Sequence, residues 1–460
     1  MTFKKNELLV AALVAAALGC GQGGGSSKTQ RSTTPRTAPP ITVTPPRSSP
    51  GVIVSSTPGT VTTRTSTPPA PAPTPPPPPP PPPVTIPSIE FDVNTPFWSN
   101  GPIFVACDLA VNGKNAWSAD AFMLIRDPVL NTRYTGVMSI TSGAAAITSG
   151  TTITFKITRG GWNSVEKGPL GEEVPNRVAV CGAGPTKVYA NVFHWADDTI
   201  LPPKAPTQDL GYFFPRALKG PMRPVFVHLP PTYDDPANAN RHYPVIYALE
   251  GQTMFDAARS PTAKTVDLDA AADVQSATGH GECIVVAIDS TFQKLQEFTP
   301  TFDPVLGVGG RLEDLGAFLF DELKPEIDRV YRTMPGPETT GILGTGVAGL
   351  AAFRLGWAHE DKVKLIAAIS PELTWNNDET KAYVAKVTAK PKLRVWLDSG
   401  TNDGPSPQAR LQSVRDVANA MLGVGFTMNG DLRYTEVPGG TLDEASWAAR
   451  IKDVLAYLLP

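Results

Sequence analysis

The chain has 460 residues, with 40 Lys and Arg against 43 Asp and Glu, for a formal net charge of −3. Without a basic patch, that balance excludes electrostatic nucleic-acid binding. A hydrophobic content of 41% allows a sizeable core, the length suits two or three domains, and the 49 prolines crowd towards the front.

Residues 1–20 read as a targeting segment. Lys4 and Lys5 form a basic start, and Leu8 to Leu18 is apolar but too short to span a membrane. The run ends in Ala17-Leu18-Gly19-Cys20, which resembles a bacterial lipobox. That resemblance implies lipidation of Cys20, attachment to a membrane through the acyl chains, and a place in the cell envelope, at the outer membrane or cell surface. No later stretch is apolar enough to span. Residues 21–88 read as a disordered linker rich in Pro, Ser and Thr. Its unbroken run Pro75–Pro83 is expected to adopt polyproline II, which would make a spacer of roughly 28 Å. The rival role for that run is docking to a proline-recognising partner.

Residues 89–203 alternate short β-rich runs with turns: Ile103 to Cys107, Phe122 to Ile125, Arg133 to Ile140, Thr151 to Thr158 and Lys187 to Phe193. The pattern predicts a small antiparallel β-sandwich. Cys107 and Cys181 could form a disulfide in an oxidising compartment, whereas Cys283 opens a buried strand. No spacing suits a metal, and no cofactor is expected. The segment Phe155 to Lys167, followed by Glu173-Val174-Pro175-Asn176-Arg177, resembles the starch-binding-like modules that precede many bacterial esterases. Such modules stack aromatic rings on sugars, which makes Trp117 and Trp162 the glycan-binding candidates; the plainer role for both is packing. Arg159, Glu166, Lys167 and Arg177 read as a solvated ion-pair cluster.

From 204 to 460, strands alternate with helices. Strands are expected at Pro224 to Leu229, Tyr243 to Leu249, Ile284 to Ile288, Thr340 to Leu343, Leu365 to Ile369 and Leu393 to Leu397. Helices are expected at Val266 to Val274, Arg311 to Val330, Val347 to Trp357, Ser413 to Leu422 and Glu444 to Leu459. Buried strands separated by helices imply an α/β domain with a mostly parallel sheet covered on both faces.

Tyr243-Pro244-Val245-Ile246-Tyr247, Glu250-Gly251-Gln252, Glu297-Phe298-Thr299-Pro300 and Leu323 to Asp328 resemble the esterase family that includes esterase D, feruloyl esterases and enterochelin esterases. The resemblance implies an α/β-hydrolase fold and a Ser, Asp, His triad in that chain order. Here the elbow reads Gly344-Thr345-Gly346-Val347-Ala348, so the nucleophile position is Gly346, and Ala348 stands where glycine is expected. Thr345 is one place away, and its side chain should point elsewhere. The acid maps to Asp403, while Asp398 could simply cap its strand. The histidine should lie on a loop after the last core strand, at Val437 to Trp447, where Leu442 takes its place. The five histidines are His194, His228, His242, His280 and His359, none of them downstream of Asp403. Glu250, Gly251 and Gln252 match the oxyanion-hole segment. The expectation is a pseudoenzyme on a lipid anchor that binds a ligand, glycan or envelope protein. The alternative is an active ester or glycan-ester hydrolase with a non-standard site.

Overall fold

A computed structural model describes residues 87–459, apart from 97–98, 100, 131, 140–145, 199–206 and 278–280. The expected signal peptide with Cys20, the linker up to residue 86, and His280 lie outside the described residues.

The first region holds β1 (Ser88–Asn94), β2 (Ile103–Cys107), β3 (Phe122–Arg126), β4 (Arg133–Met138), β5 (Thr152–Thr158), β6 (Glu166–Lys167), β7 (Arg177–Val180), β8 (Pro185–Asn191) and β9 (His194–Trp195). Seven of them run in the order β7-β5-β2-β3-β4-β1-β8. Strand β3 is shared along its length: Phe122 to Leu124 pair with β2, and Ile125 and Arg126 pair with β4. The sheet can therefore fold over on itself. Alternate residues of β1, β2 and β5 then meet in one core, with Phe91 edge-on to Phe155 at 5.3 Å.

Three expectations are corrected here. The sandwich is not wholly antiparallel, because β1 and β8 run parallel. Cys107 and Cys181 are both buried free thiols, so the disulfide is not formed. Glu166 is not solvated: it is 0% exposed, accepts from Ile157 N and Arg177 Nε, and ties β5 to β7.

The second region adds β10 (Thr207–Phe213), β11 (Arg223–His228), β12 (Val245–Leu249), β13 (Ile284–Ile288), the small hairpin β14 (Phe302–Asp303) and β15 (Val308–Gly309), β16 (Thr340–Thr345), β17 (Leu365–Ile369), β18 (Arg394–Asn402) and β19 (Leu432–Thr441). Eight form one sheet in the order β10-β11-β13-β12-β16-β17-β18-β19, parallel from β13 to β19. Each central strand feeds two cores. Val245, Tyr247 and Leu249 face one, and Ile246 and Ala248 face the other. Helices Gly346–Ala358 and Pro407–Gly423 cover the first face, and Leu268–Ala277 and Ile451–Leu458 cover the second. After β12 the chain moves to β13 on one side and then returns to β16 on the other. That reversal opens a crevice at the carboxyl ends of the strands. The two regions touch through Phe193 on Phe213, ring centroids 4.7 Å apart, and through Arg329 paired with Glu172 at 2.6 Å.

Two predicted helices are interrupted. The stretch from Arg311 to Val330 contains a π-helical segment, Phe318–Leu323, before Lys324–Val330. Pro325 has no N–H to offer the preceding turn there. The C-terminal helix is split into Glu444–Ala448 and Ile451–Leu458, with Arg450 between them. Its guanidinium grips Asp398 through Nε at 2.9 Å and Nη2 at 3.0 Å, and also reaches Ser370 Oγ at 2.8 Å. Asp398 is 0% exposed and takes further bonds from Ser370 N and Trp396 Nε1, so it is far more than a strand cap. Removing one partner of a buried pair strands the other charge. Arg450→Ala should therefore cost about 3–5 kcal/mol in urea unfolding, and adding Asp398→Leu should recover a large part of it.

Candidate active site

The mapped triad positions converge at the carboxyl ends of β16, β18 and β19. Strand β16 ends at Thr345 and helix Gly346–Ala358 begins at once. The turn is tight because Gly344 lies against the helix: a Cβ there would sit 2.1 Å from the Ala348 carbonyl oxygen. Gly346 has φ +55°, the left-handed conformation that a nucleophile elbow imposes. A Cβ on Gly346 would find one side chain within reach, Leu442 Cδ1 at 4.0 Å. Nucleophile and base positions are thus neighbours in space, and neither carries a reactive group. Thr345 is 1% exposed with its hydroxyl buried.

Leu442 lies in the short link between β19 and the final helices, after the last strand as expected, whereas the expectation of a loop at Val437 to Thr441 is corrected. That stretch continues the strand, and after a bulge Thr441 pairs with Asn402. Asp443 follows as the N-cap of Glu444–Ala448, accepting from Ala445 N and Ser446 N. Strand end and cap together fix where residue 442 points.

Asp403 is 1% exposed. Its Oδ2 accepts from Gly400 N at 2.7 Å and Ser399 Oγ at 3.1 Å, while Oδ1 is buried without a partner. Burial raises its carboxyl above the usual carboxylate range, against the lowering pull of Ser370, Gly400 and Ser399. In the oxyanion segment, Glu250 has φ +63° and pairs with Lys294 at 2.8 Å. The Gln252 amide donates to Ser290 Oγ at 2.7 Å and accepts from Ser290 N at 3.0 Å, which locks this loop to the one after β13.

Sequence reasoning missed a charged pair beside these positions. Glu372 N donates to the Gly346 carbonyl, and the Glu372 carboxylate binds Arg410 of helix Pro407–Gly423. Glu372 is 2% exposed and Arg410 11%. Ion pairs between distant segments leave no local pattern in a sequence.

The described histidines sit elsewhere. His359 binds Glu313 at 2.9 Å beyond the far end of helix Gly346–Ala358, His242 is exposed, and His194 lies 3.8 Å from Asp198. His228 does resemble a triad base: Nδ1 is 3.0 Å from Thr207 Oγ1, and Nε2 is 2.9 Å from Asp273. However, it pairs with Val285 at the entry end of β13, roughly 13 Å of strand from the crevice, and is 1% exposed. The nearby serines are engaged as well, Ser370 with Arg450, Ser399 with Asp403 and Ser290 with Gln252.

In the first region, the two tryptophan candidates come together. Their ring centroids are 6.3 Å apart, Trp162 is 47% exposed, and Trp117 has φ +62°, a strained conformation for so bulky a residue. A cleft of about 690 Å³ opens beside β1, β4 and β8, lined by Tyr189, Arg216 and Lys219 among others, away from Gly346 and Leu442.

The family model described as Putative esterase matches residues 217–458. The chain belongs to this family. Among solved structures it is similar to the BES protein from Bacillus cereus, at 18% identity and TM-score 0.44, covering 57% of this chain and 97% of that one. It is also similar to a ferulic acid esterase from Anaeromyces mucronatus, at 19% identity and TM-score 0.40, covering 57% and 91%. A third is the enterobactin esterase from Shigella flexneri, at 13% identity and TM-score 0.42, covering 78% and 88%. No curated protein matches the chain.

The Asp403 carboxyl gives a test with a definite sign. Its value is raised in the folded state, so the native protein holds that proton more tightly than the unfolded chain. The stability this contributes is present at low pH and is lost as pH rises through the folded-state value. Asp403→Asn should therefore be more stable than wild type in urea at pH 7. The gap should narrow on acidification and close below about 3.9, the unfolded-chain value.

Proposed function

We propose that this chain is a lipid-anchored envelope protein whose esterase-family domain has given up ester hydrolysis and binds a ligand, a glycan or an envelope protein. The supporting observation is the pair of positions Gly346 and Leu442: a Cβ on Gly346 would stand 4.0 Å from Leu442 Cδ1, where a hydroxyl and an imidazole would have to meet. Triad chemistry needs a nucleophile within hydrogen-bond reach of a base that a third group orients. Here only the orienting group, Asp403, is present. An oxyanion hole with binding alone retains a small remnant of triad catalysis. The lipobox-like Ala17-Leu18-Gly19-Cys20 supports the anchor.

Purified protein should hydrolyse p-nitrophenyl acetate and feruloyl esters at no more than a small remnant of a triad esterase's rate, and Asp403→Ala should leave that remnant unchanged. The double variant Gly346→Ser with Leu442→His should gain turnover that Asp403→Ala then removes. Wild-type turnover abolished by Asp403→Ala would overturn the proposal in favour of an active hydrolase.

A glycan role for the sandwich is favoured by one observation, the neighbouring rings of exposed Trp162 and half-buried Trp117. Two tilted rings on a surface can stack on successive sugar faces, and the strain at Trp117 is of the kind held at functional sites. In a pull-down on insoluble starch and other polysaccharides, wild type should be retained and Trp162→Ala released. Equal retention of the two proteins removes the platform from consideration.

A further inference from the structure

The cleft beside β1, β4 and β8 has a volume of about 690 Å³. That size suits a small molecule, and such sites favour the junction of two folded regions. Strand register fixes its floor. Glu90 stands between Val137 and Lys187, and Asp92 stands between Thr135 and Tyr189, with Ile125 opposite Thr135. The far wall, Phe214, Arg216 and Lys219, comes from the chain just after β10. The floor carries outward-facing aliphatic side chains: Ile125 is 71% exposed and Val137 60%, with Leu130 beside them in the lining. Lone exposed apolar residues are ordinary, whereas several in one concavity are what a ligand with an apolar body requires. Most charges in the cleft are already matched. Arg133 holds Asp92 through Nε at 2.8 Å and Nη2 at 2.7 Å. Arg216 lies over the Tyr189 ring at 4.4 Å and pairs with Glu322 at 3.0 Å. Three lining groups stand outside any ion pair among the described residues: Glu90, Lys187 and Lys219. Their sum is one positive charge. Lys219 has φ +48°, a backbone conformation that a lysine keeps only where its surroundings hold it.

We propose that this cleft binds a medium-sized organic monoanion with an aliphatic body, the body lying over Ile125 and Val137 and the anionic group meeting Lys187 and Lys219. The site is separate from Gly346 and Leu442, and it does not depend on whether the esterase-family domain hydrolyses esters. Lys187 and Val137 are two strand spacings apart across Glu90, roughly 10 Å, so head and body are joined over about the length of an extended eight-carbon chain. Both lysines are exposed, and their long apolar stems can lie along a bound chain while the ammonium groups meet its head. A neutral sugar fits worse, because it leaves both ammonium groups unmatched and sets hydroxyls against aliphatic side chains. A cation would meet a net positive lining. A dianion would exceed the one charge to be balanced and face the Glu90 carboxylate, like charge against like.

Isothermal titration calorimetry on the full-length chain separates head from body, with each probe kept below the concentration at which it self-associates. Sodium octanoate carries both parts, sodium acetate only the head, and octyl β-D-glucopyranoside only the body. Octanoate should bind at least about tenfold more tightly than either of the others. Lys187→Gln together with Lys219→Gln should weaken octanoate roughly tenfold, the combined effect of two exposed ion pairs, and leave octyl glucoside unchanged. Val137→Asp should weaken octanoate by at least as much, because it removes apolar floor and adds a like charge. All three positions are exposed, so the urea midpoints should stay at the wild-type value and lost binding reports the cleft itself. The proposal is overturned by the absence of octanoate binding, by acetate or octyl glucoside binding as tightly as octanoate, or by octanoate affinity that survives either variant. Hydrolysis of p-nitrophenyl acetate, measured on the same preparations, reports on the triad positions alone, so the two readings stand or fall separately.

Discussion

Asp398 has no exposed surface and accepts bonds from Ser370 N, from Trp396 Nε1 and from both arms of the Arg450 guanidinium. Those donors come from three places, the end of β17, the strand β18 itself and the break between the two C-terminal helices. A charge buried this deeply is tolerable only when every donor is in place. The pair therefore holds the last twenty or so residues against the sheet in a single register. Leu442, just upstream of that clamp, and Asp403, just downstream of Asp398, inherit their positions from it.

The alternation of apolar residues made much of the second region legible. Ile284–Ile288 and Leu365–Ile369 were expected with their observed bounds, because a strand buried on both faces is apolar throughout. Ile103–Cys107 was equally plain in the first region. Other elements hid. The stretch Val437 to Thr441 contains Pro-Gly-Gly and reads as a loop, yet it pairs because two glycines, Gly400 and Gly440, let the backbones approach closely. The helix Trp375–Ala385 opens with Asn376, Asn377 and Asp378, all at positive φ, so no helical period announces it. Glu166 looked solvated because charge suggests solvent; its pairing with Arg177 was within the expected cluster, and only the fold reveals that the carboxylate is fully buried.

The candidate site divides in the same way. Gly346, Asp403 and Leu442 could be placed from motifs in chain order, because each motif is a local backbone event: an elbow, a strand end, a cap. The Glu372–Arg410 pair and the unpartnered Asp403 Oδ1 arise from tertiary convergence, and no window along the chain contains them. The buried Thr207–His228–Asp273 chain shows the opposite hazard. Hydrogen-bond distances alone suggest chemistry, and only its place at the entry end of the sheet marks it as structural.

The left-handed backbone at Gly346 sets a cost on any side chain placed at the elbow. A serine returning there would again bear a conformational cost of about 1–2 kcal/mol, the penalty an L-residue meets in that region of φ/ψ space. It would also face a methyl group instead of an imidazole. A histidine arriving first at 442 would find no hydroxyl to deprotonate. If hydrolysis has been given up as proposed, each single step carries a stability cost or no benefit and only both together would restore chemistry, a ratchet that favours new uses of the scaffold over recovery of the old one.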